Sequence, residues 1–423
     1  MRLPRFIKKI IPGYKVIDMK EWFAKGLIEI YIEKEDKEAS MTCCRCGEAL
    51  EVKRGKHRLN IKHMPILNFE CRIVFWRHKG HCPKCNKARS EDLEFLSRES
   101  PHLSQEYSWW LGRLTEVSTV SRIAKLTGND QNTLWRIDYD RLLKMLQNYN
   151  IPEVERISVD EVYTRRKKYH RSESRNEQYF TIITDLKTRR VIWTSNSRDK
   201  KALDEFFTII GKERCKKIKV VAMDLHDPYK ASVNEHCKNA TVVWDKFHVI
   251  RIFENALNNE RLDIYQDDKT AKSFKGKING RFKYLFLKSA SKRKEPEKKK
   301  LKEVMEENKQ FYKLELIKEK FFKFFYQKNA EDAQDLIVEV REWIMEGKFV
   351  FLQAWVDNFI STWETMKNYF EYRVTSALSE GTNNVIKSLK RRCFGFRNMT
   401  YFKLKIMQVC GYLNSDYVEI DGY

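Results

Sequence analysis

Along the first hundred residues hydrophobic and polar positions alternate, and then the period changes. GLIEIYIEKE, the stretch from Glu51 to Leu59, and LNFECRIVFWRHKGH place apolar side chains at every second position, which predicts strands with one buried face. From Pro101 the spacing becomes helical. SQEYSWWLGRLTEVSTVSRIAKLTG predicts helix up to Gly128, and NTLWRIDYDRLLKMLQ predicts a second helix before a boundary at Asn150, Ile151 and Pro152. From residue 156 the two periods mix. RISVDEVY reads as a strand, QYFTIITD and RRVIWTSN as a hairpin, KKALDEFFTIIG as a helix and KIKVVAMDL as a buried strand. PYKASVNEHC then reads as a helix, ATVVW as a strand and DKFHVIRIFENAL as a helix. Residues 258–370 are Lys-rich and strand-poor. Within them KSASKRKEPEKKKLKE reads as a solvated loop, followed by helices through LIKEKFFKFFYQ, LIVEVREWIME and FLQAWVDNFISTWETM.

Three strands, helix, strand, helix, strand, helix is the order of a ribonuclease-H-like domain. The expected fold class is therefore a multidomain α+β and α/β chain. Its expected parts are a zinc-binding β-rich module at 1–100, a helix-turn-helix DNA-binding domain at 101–152, and the first part of a ribonuclease-H-like catalytic core at 153–257. A helical insertion at 258–370 and the C-terminal helices of the core at 371–423 complete it.

Charge narrows the partners. Among 423 residues, Lys and Arg number 82 and Asp and Glu 59, so the net charge is +23 and the natural partner is a polyanion. The basic residues recur in every segment, which favours nucleic acid over a membrane surface. The start, MRLPRFIKKIIPGYK, lacks the apolar stretch of a secretory signal, and no run approaches the roughly 20 apolar residues that span a bilayer. The expectation is a cytoplasmic, nucleoid-associated protein whose ten cysteines are metal ligands or buried hydrophobes rather than disulfides.

Two cysteine pairs, Cys43-x-x-Cys46 and Cys82-Pro-Lys-Cys85, are separated by strand-type sequence. Four thiolates on two tight turns suit one tetrahedral structural Zn²⁺. Cys44 adjoins Cys43 but has the wrong spacing, His81 is a lesser substitute, and Cys71 lies mid-strand and is expected to be buried. The module would contact DNA or position another domain. In STVSRIAKLTGNDQNTLWRI, Ile123, Ala124 and Leu126 would pack inward, Gly128 would turn the chain, and Leu134 and Ile137 would seat a second helix. As a helix-turn-helix it would present Gln131, Asn132, Thr133 and Arg136 to a major groove; the plain alternative is an ordinary helical hairpin.

Three acids carry the candidate chemistry: Asp160 in ISVDEVY, Asp224 in VVAMDLHDPY and Glu380 in SALSEGTNNVIKSLKRR. Each alone could be a helix cap or a solvated residue. If the first and fourth strands are neighbours, Asp160 and Asp224 converge, and a helix crossing the sheet would deliver Glu380. Clustered carboxylates repel unless cations bind, and oxygen ligands favour Mg²⁺ or Mn²⁺. Two such ions activate a nucleophile and stabilise a leaving oxygen in one in-line displacement, with no protein base required. Glu161, Asp185 and Asp227 are second-choice ligands. On the last helix Glu380, Asn384, Lys387 and Arg391 share one face, with Ile386, Leu389 and Cys393 opposite, which suits a metal ligand beside a phosphate track. Arg392 and Arg397 would add phosphate contacts. In WDKFHVI, Asp245 is a good helix N-cap with Phe247 and Val249 on a buried face, and Lys246 and His248 would sit at the carboxyl end of the sheet.

Taken together these pieces resemble the ISL-three family of bacterial insertion-sequence DDE transposases. The matching strings are the paired CxxC module, the helix-turn-helix, VDE at Asp160, VVAMDLHDPY at Asp224, WDKFHVI, and SEGTNNVIKSLKRRCFGFRNMTYFKLKI, in consistent order over roughly residues 15–412. The resemblance implies a ribonuclease-H-like core with a helical insertion before the glutamate, binding to terminal inverted repeats, and metal ligands at Asp160, Asp224 and Glu380. It moves Asp245, Lys246 and His248 towards the active site. The expected activity is metal-dependent strand cleavage and strand transfer on double-stranded DNA, by a homodimer in the synaptic complex. A nuclease of the same fold that cuts without joining, and a non-catalytic DNA-binding regulator, are the alternatives.

Overall fold

The computed structural model describes residues 11–36, 40–164, 178–374, 377–393, 395–396 and 398–414, excepting the side chains of 52–54 and 377–380. The described residues form two compact units, one drawn from 1–149 and 398–423, the other from 150–397.

The first unit opens with a five-stranded sheet: β1 (Tyr14–Trp22), β2 (Leu27–Lys34), β3 (Glu51–Ile66), β4 (Phe69–Cys82) and β5 (Lys87–Ser90). Its order is β1-β2-β4-β3, with β5 also paired to β4; β2 and β4 run parallel and the other pairings are antiparallel. Alternation buries one face, where Ile30, Ile32, Ile61, Cys71, Ile73 and Phe75 pack against Leu93 and Phe95. Three helices follow: α1 (Gln105–Val117), α2 (Val120–Thr127) and α3 (Gln131–Gln147). Each starts on a side-chain oxygen, of Ser104, Thr119 and Asp130 in turn, that accepts from the amide of Tyr107, Arg122 and Thr133. Gly128 ends α2 at φ 62°, a conformation glycine adopts without strain. Ile123, Leu134 and Ile137 pack with Tyr107 and Leu111 as expected. Leu126 does not; it is 78% exposed. Val120, Ile123, Ala124 and Thr127 recur at i, i+3, i+4 and i+7 and form the inner stripe, and Leu126 falls outside it.

The helix Met399–Cys410 also belongs to this unit, and here the expected 371–423 segment divides. The physical reason lies in α3. Asp138 is fully buried and accepts from Tyr401 Oη at 2.6 Å and Lys405 Nζ at 3.0 Å, so that the C-terminal helix supplies two partners of a buried carboxylate, beside the Thr115 hydroxyl.

The second unit holds another five-stranded sheet: β6 (Arg156–Tyr163), β7 (Tyr179–Asp185), β8 (Arg190–Ser195), β9 (Val220–Met223) and β10 (Thr241–Trp244). The order is β10-β9-β6-β7-β8. The first three strands in sequence form an antiparallel meander, and β9 and β10 add parallel to β6. Both parallel additions are almost wholly apolar and buried, as strands covered on both faces must be. Helix α4 (Lys200–Ile210) precedes β9, α5 (Asp227–His236) joins β9 to β10, and α6 (Lys246–Gln266) leaves β10. The chain then stays helical. Phe253 of α6 packs on Phe321 and Trp355, ring centroids 4.3 and 4.6 Å apart, and these rings with Phe324 and Phe359 form an aromatic core for residues 267–372. The expected loop through KSASKRKEPEKKKLKE is in part a helix, Glu295–Glu307. Pro296 suits a first turn that needs no N–H from it, and Glu297 accepts from the Lys294 amide at 2.8 Å. The helix Ala377–Arg392 returns to the sheet beside β6.

Candidate active site

Register brings the first two acids together. Val159 of β6 pairs with Met223 of β9, in parallel, so Asp160 and Asp224 are the next residue on two neighbouring strands. One strand further, Trp244 pairs with Met223, and Asp245 follows it, its amide donating to the Met223 carbonyl at 2.8 Å. Three aspartates thus stand at the carboxyl side of three adjacent parallel strands. That is where a parallel sheet gathers the loops that hold ligands.

Their electrostatics differ. Asp160 is half-buried; lost hydration first, and then the negative charge of Asp224 and Asp245, push its carboxyl up to about 7. The Glu161 amide, at 2.6 Å, and Asn383 Nδ2, at 2.7 Å, donate to it and oppose that rise. Among the described residues Asp160 has no ion-pair partner. Asp224 lies 3.0 Å from His248 Nδ1, which also lies 2.6 Å from Arg251 Nη2. That nitrogen binds Asp224 when it carries a proton and accepts from Arg251 when it does not. Asp245 is buried and caps α6 through the amides of Phe247 and His248. Phe247, expected on a buried face, is 40% exposed. The inner stripe of α6 runs instead through Val249, Phe253, Ala256 and Leu257, and the Phe247 ring stacks under Lys246 Nζ at 5.3 Å.

The second-choice acids separate. Glu161 points to the other face of β6 from Asp160, where Arg198 lies 3.4 Å away; burial raises its carboxyl, and that arginine opposes the rise. Asp185 pairs with Ile157, three residues back along β6, and its oxygens close the β7–β8 turn by accepting from the amides of Lys187 and Thr188. Asp227 is exposed in the first turn of α5.

Glu380 lies in the helix Ala377–Arg392; its side chain and all of Arg397 lie outside the described residues. Further along that helix Asn384, Lys387, Arg391 and Arg392 are exposed, and Ile386 and Leu389 are buried against the unit. Two side chains that sequence reasoning passed over tie the helix to β6: Asn383, on Asp160, and Lys390, whose Nζ donates to the Tyr163 carbonyl at 3.2 Å and lies over the Tyr163 ring. Asn383 falls three residues after Glu380, a position on the same side of a helix, and that spacing was the available signal.

In the first unit the four expected cysteines converge. The sulfur atoms of Cys43, Cys46, Cys82 and Cys85 all lie within 4.8 Å of one another, with Cys46 3.5 Å from Cys82 and 3.6 Å from Cys85. Zn–S bonds of about 2.3 Å in a tetrahedron put sulfurs roughly 3.8 Å apart, so the donor set fits Zn²⁺. Each knuckle turns a backbone N–H towards a sulfur, Arg45 to Cys43 and Cys85 to Cys82. Burial opposes a Cys43 thiolate, yet its amide donors bring it down to about 7, while burial pushes Cys82 up to about 12. Cys44 is exposed outside the cluster, and Cys71 lies in the sheet core. At the start of α3, Gln131, Asn132 and Arg136 are exposed and Thr133 is half-buried.

The family model for DDE proteins of the ISL3 type, described as a transposase, matches residues 157–406, more than half of the chain. The transposase for insertion sequence element IS1001 of Bordetella parapertussis is 23% identical over 394 residues, covering 90% of each chain. The transposase for insertion sequence element IS1557 of Mycobacterium tuberculosis is 26% identical over 270 residues, 57% of each chain.

Proposed function

The chain belongs to the ISL3 family of DDE transposases, and on that premise we propose that it binds the terminal inverted repeats of an insertion sequence and catalyses strand cleavage and strand transfer there. The observation that carries the reading is the pairing of β6 with β9, which sets Asp160 beside Asp224 with no cation from the described residues on Asp160. The strand order and the return of the helix Ala377–Arg392 to β6 support a ribonuclease-H-like core. Asp160, Asp224 and Glu380 would hold two Mg²⁺ or Mn²⁺ ions, and the oxygen-only donor set and the raised Asp160 carboxyl fit hard divalent cations. Bound there, the ions would supply Lewis acidity for a phosphodiester displacement. Asn383 donates to Asp160 and favours its ionised, metal-ready form. Asp245 fixes the start of α6 and with it His248, which reaches Asp224. Asn384, Lys387, Arg391, Arg392 and Arg397 would track phosphates along the same helix, and Gln131, Asn132, Thr133 and Arg136 would read the ends. The synaptic complex would contain two copies of the chain.

The test uses DNA carrying inverted-repeat ends, Mg²⁺, the wild type and Glu380→Gln. Cleaved and joined products in the wild type, lost by roughly a thousandfold in the variant while binding persists, are expected. Cleavage without joining would make the protein a nuclease, and specific binding without cleavage in both proteins would make it a regulator.

A further inference from the structure

The outward face of the N-terminal sheet differs from an ordinary solvated face. Residues paired across the ladder share a side: Arg58 stands opposite Trp76, Asn60 and Tyr31 flank Val74, and Asp18, Lys20 and Trp22 stand opposite Tyr31, Glu29 and Leu27. Three aromatic rings lie on it. Trp22 and Trp76 are 45% and 49% exposed, far more than a tryptophan needs for packing. Every one of the three rings carries a cation: Lys25 over Trp22 at 5.3 Å, Lys20 and Arg58 over Tyr31 at 5.0 and 5.8 Å, and Lys56 over Trp76 at 5.4 Å. At its far end Lys62 donates to the Thr127 carbonyl at 2.9 Å, so the face runs up to the turn between α2 and α3.

We propose that this face is a stacking platform for single-stranded DNA, with Tyr31 and Trp76 receiving bases and Lys20, Lys56 and Arg58 receiving phosphates. Strand spacing and rise put Tyr31 and Trp76 roughly 8 Å apart, a reach suited to neighbouring nucleotides of an extended strand. An aromatic face accepts any base; Lys20 and Lys56 need only a side-chain rotation to meet the phosphate beside the ring, and Arg58 would exchange Glu29, 3.3 Å away, for it. Duplex DNA keeps its bases stacked on each other, so it would use the cations and leave the rings idle. The platform would hold a strand released when a DNA end is opened. It depends on neither Asp160 nor Glu380, so it stands or falls apart from the catalytic reading.

The experiment measures binding of fluorescein-labelled oligothymidylate and of a duplex to the full-length, zinc-loaded protein without Mg²⁺, by anisotropy at fixed salt. Trp76→Ala should weaken single-strand binding about tenfold and Tyr31→Ala/Trp76→Ala further, with duplex binding changed less than about twofold. In the wild type, oligothymidylate should quench tryptophan emission, and Trp76→Phe should lose much of that quenching while keeping most of the affinity. Unchanged single-strand affinity in a folded Tyr31→Ala/Trp76→Ala variant would overturn the proposal. So would equal losses for single strand and duplex, or quenching that persists in Trp76→Phe.

Discussion

The buried carboxylate of the first unit and the acid cluster of the second are held in opposite ways. In the first, Asp138 and His63 are matched from within, and the four knuckle sulfurs are set for one ion. Asp138 has Lys405, Tyr401 and the Thr115 hydroxyl; His63 shares a hydrogen bond with Ser104 at 2.7 Å; and four sulfurs face one another at spacings that suit one ion. In the second, Asp160 is pressed against Asp224 and Asp245, and its described partners are neutral donors only. A matched group stabilises the fold, and a carboxylate held against others stores repulsion that a cation relieves. The difference separates the parts that hold the molecule together from the part that is kept ready for a ligand.

The largest effect should come from the matched side. Cys82→Ser, or stripping metal with a strong chelator, removes the ion that closes the two knuckles; structural zinc contributes about 10–16 kcal/mol in small modules. Zinc content should fall, and the first unit should lose its cooperative melting transition, while the second keeps its own. Retention of zinc and of the transition in Cys82→Ser would break the comparison at its strongest point.

Next is the pair that joins α3 to the C-terminal helix. Lys405→Met leaves Asp138 buried beside an apolar side chain and should destabilise the first unit by about 3–5 kcal/mol. Asp138→Asn/Lys405→Met should recover much of that, since both charges leave together. Thermal or urea unfolding of the three proteins reads this directly, and a lone lysine variant as stable as the wild type would show that the aspartate is not matched by it.

Acid should act on the first unit through His63. Burial lowers its imidazole to about 4, below the ordinary value near 6.5, so the unfolded chain binds the proton more readily. Its stabilising effect is therefore complete above pH 6.5 and lost as pH falls towards 4, amounting to about 2 kcal/mol between pH 6.5 and 5. In His63→Gln that part of the pH dependence should vanish. An unchanged slope would mean the imidazole is not held neutral.

What could be read in the sequence follows the same division. The knuckle cysteines were legible because two residues between thiols is a covalent constraint, and the strand ends were legible because the period of two leaves little choice of face. Helix faces were harder. Leu126 and Phe247 were assigned inward from composition, but tertiary partners choose the stripe, and it passes through Val120–Thr127 and Val249–Leu257 instead. The allegiance of Met399–Cys410 was not legible at all. It is fixed by a carboxylate more than 250 residues earlier, and no local pattern announces a buried ion pair of that span. Strand β1 escaped notice because a bulge between Val16 and Asp18 breaks its alternation at the sheet edge.

Asn383 gives the smallest and most discriminating expectation. Its amide is one of two donors that favour the ionised form of Asp160 and oppose the rise caused by burial and by its neighbours. Without it the carboxyl is more readily protonated and the divalent ions must compete harder for it. Asn383→Ala should therefore slow cleavage by about tenfold at limiting Mg²⁺, about 1.4 kcal/mol, and the loss should shrink as Mg²⁺ or pH is raised. Binding to DNA ends should not change. A helix that merely packs on β6 would give a loss independent of metal and pH. If the variant shows that flat profile, the strand alone positions Asp160, and the contrast between a matched unit and a poised one loses its link to the chemistry.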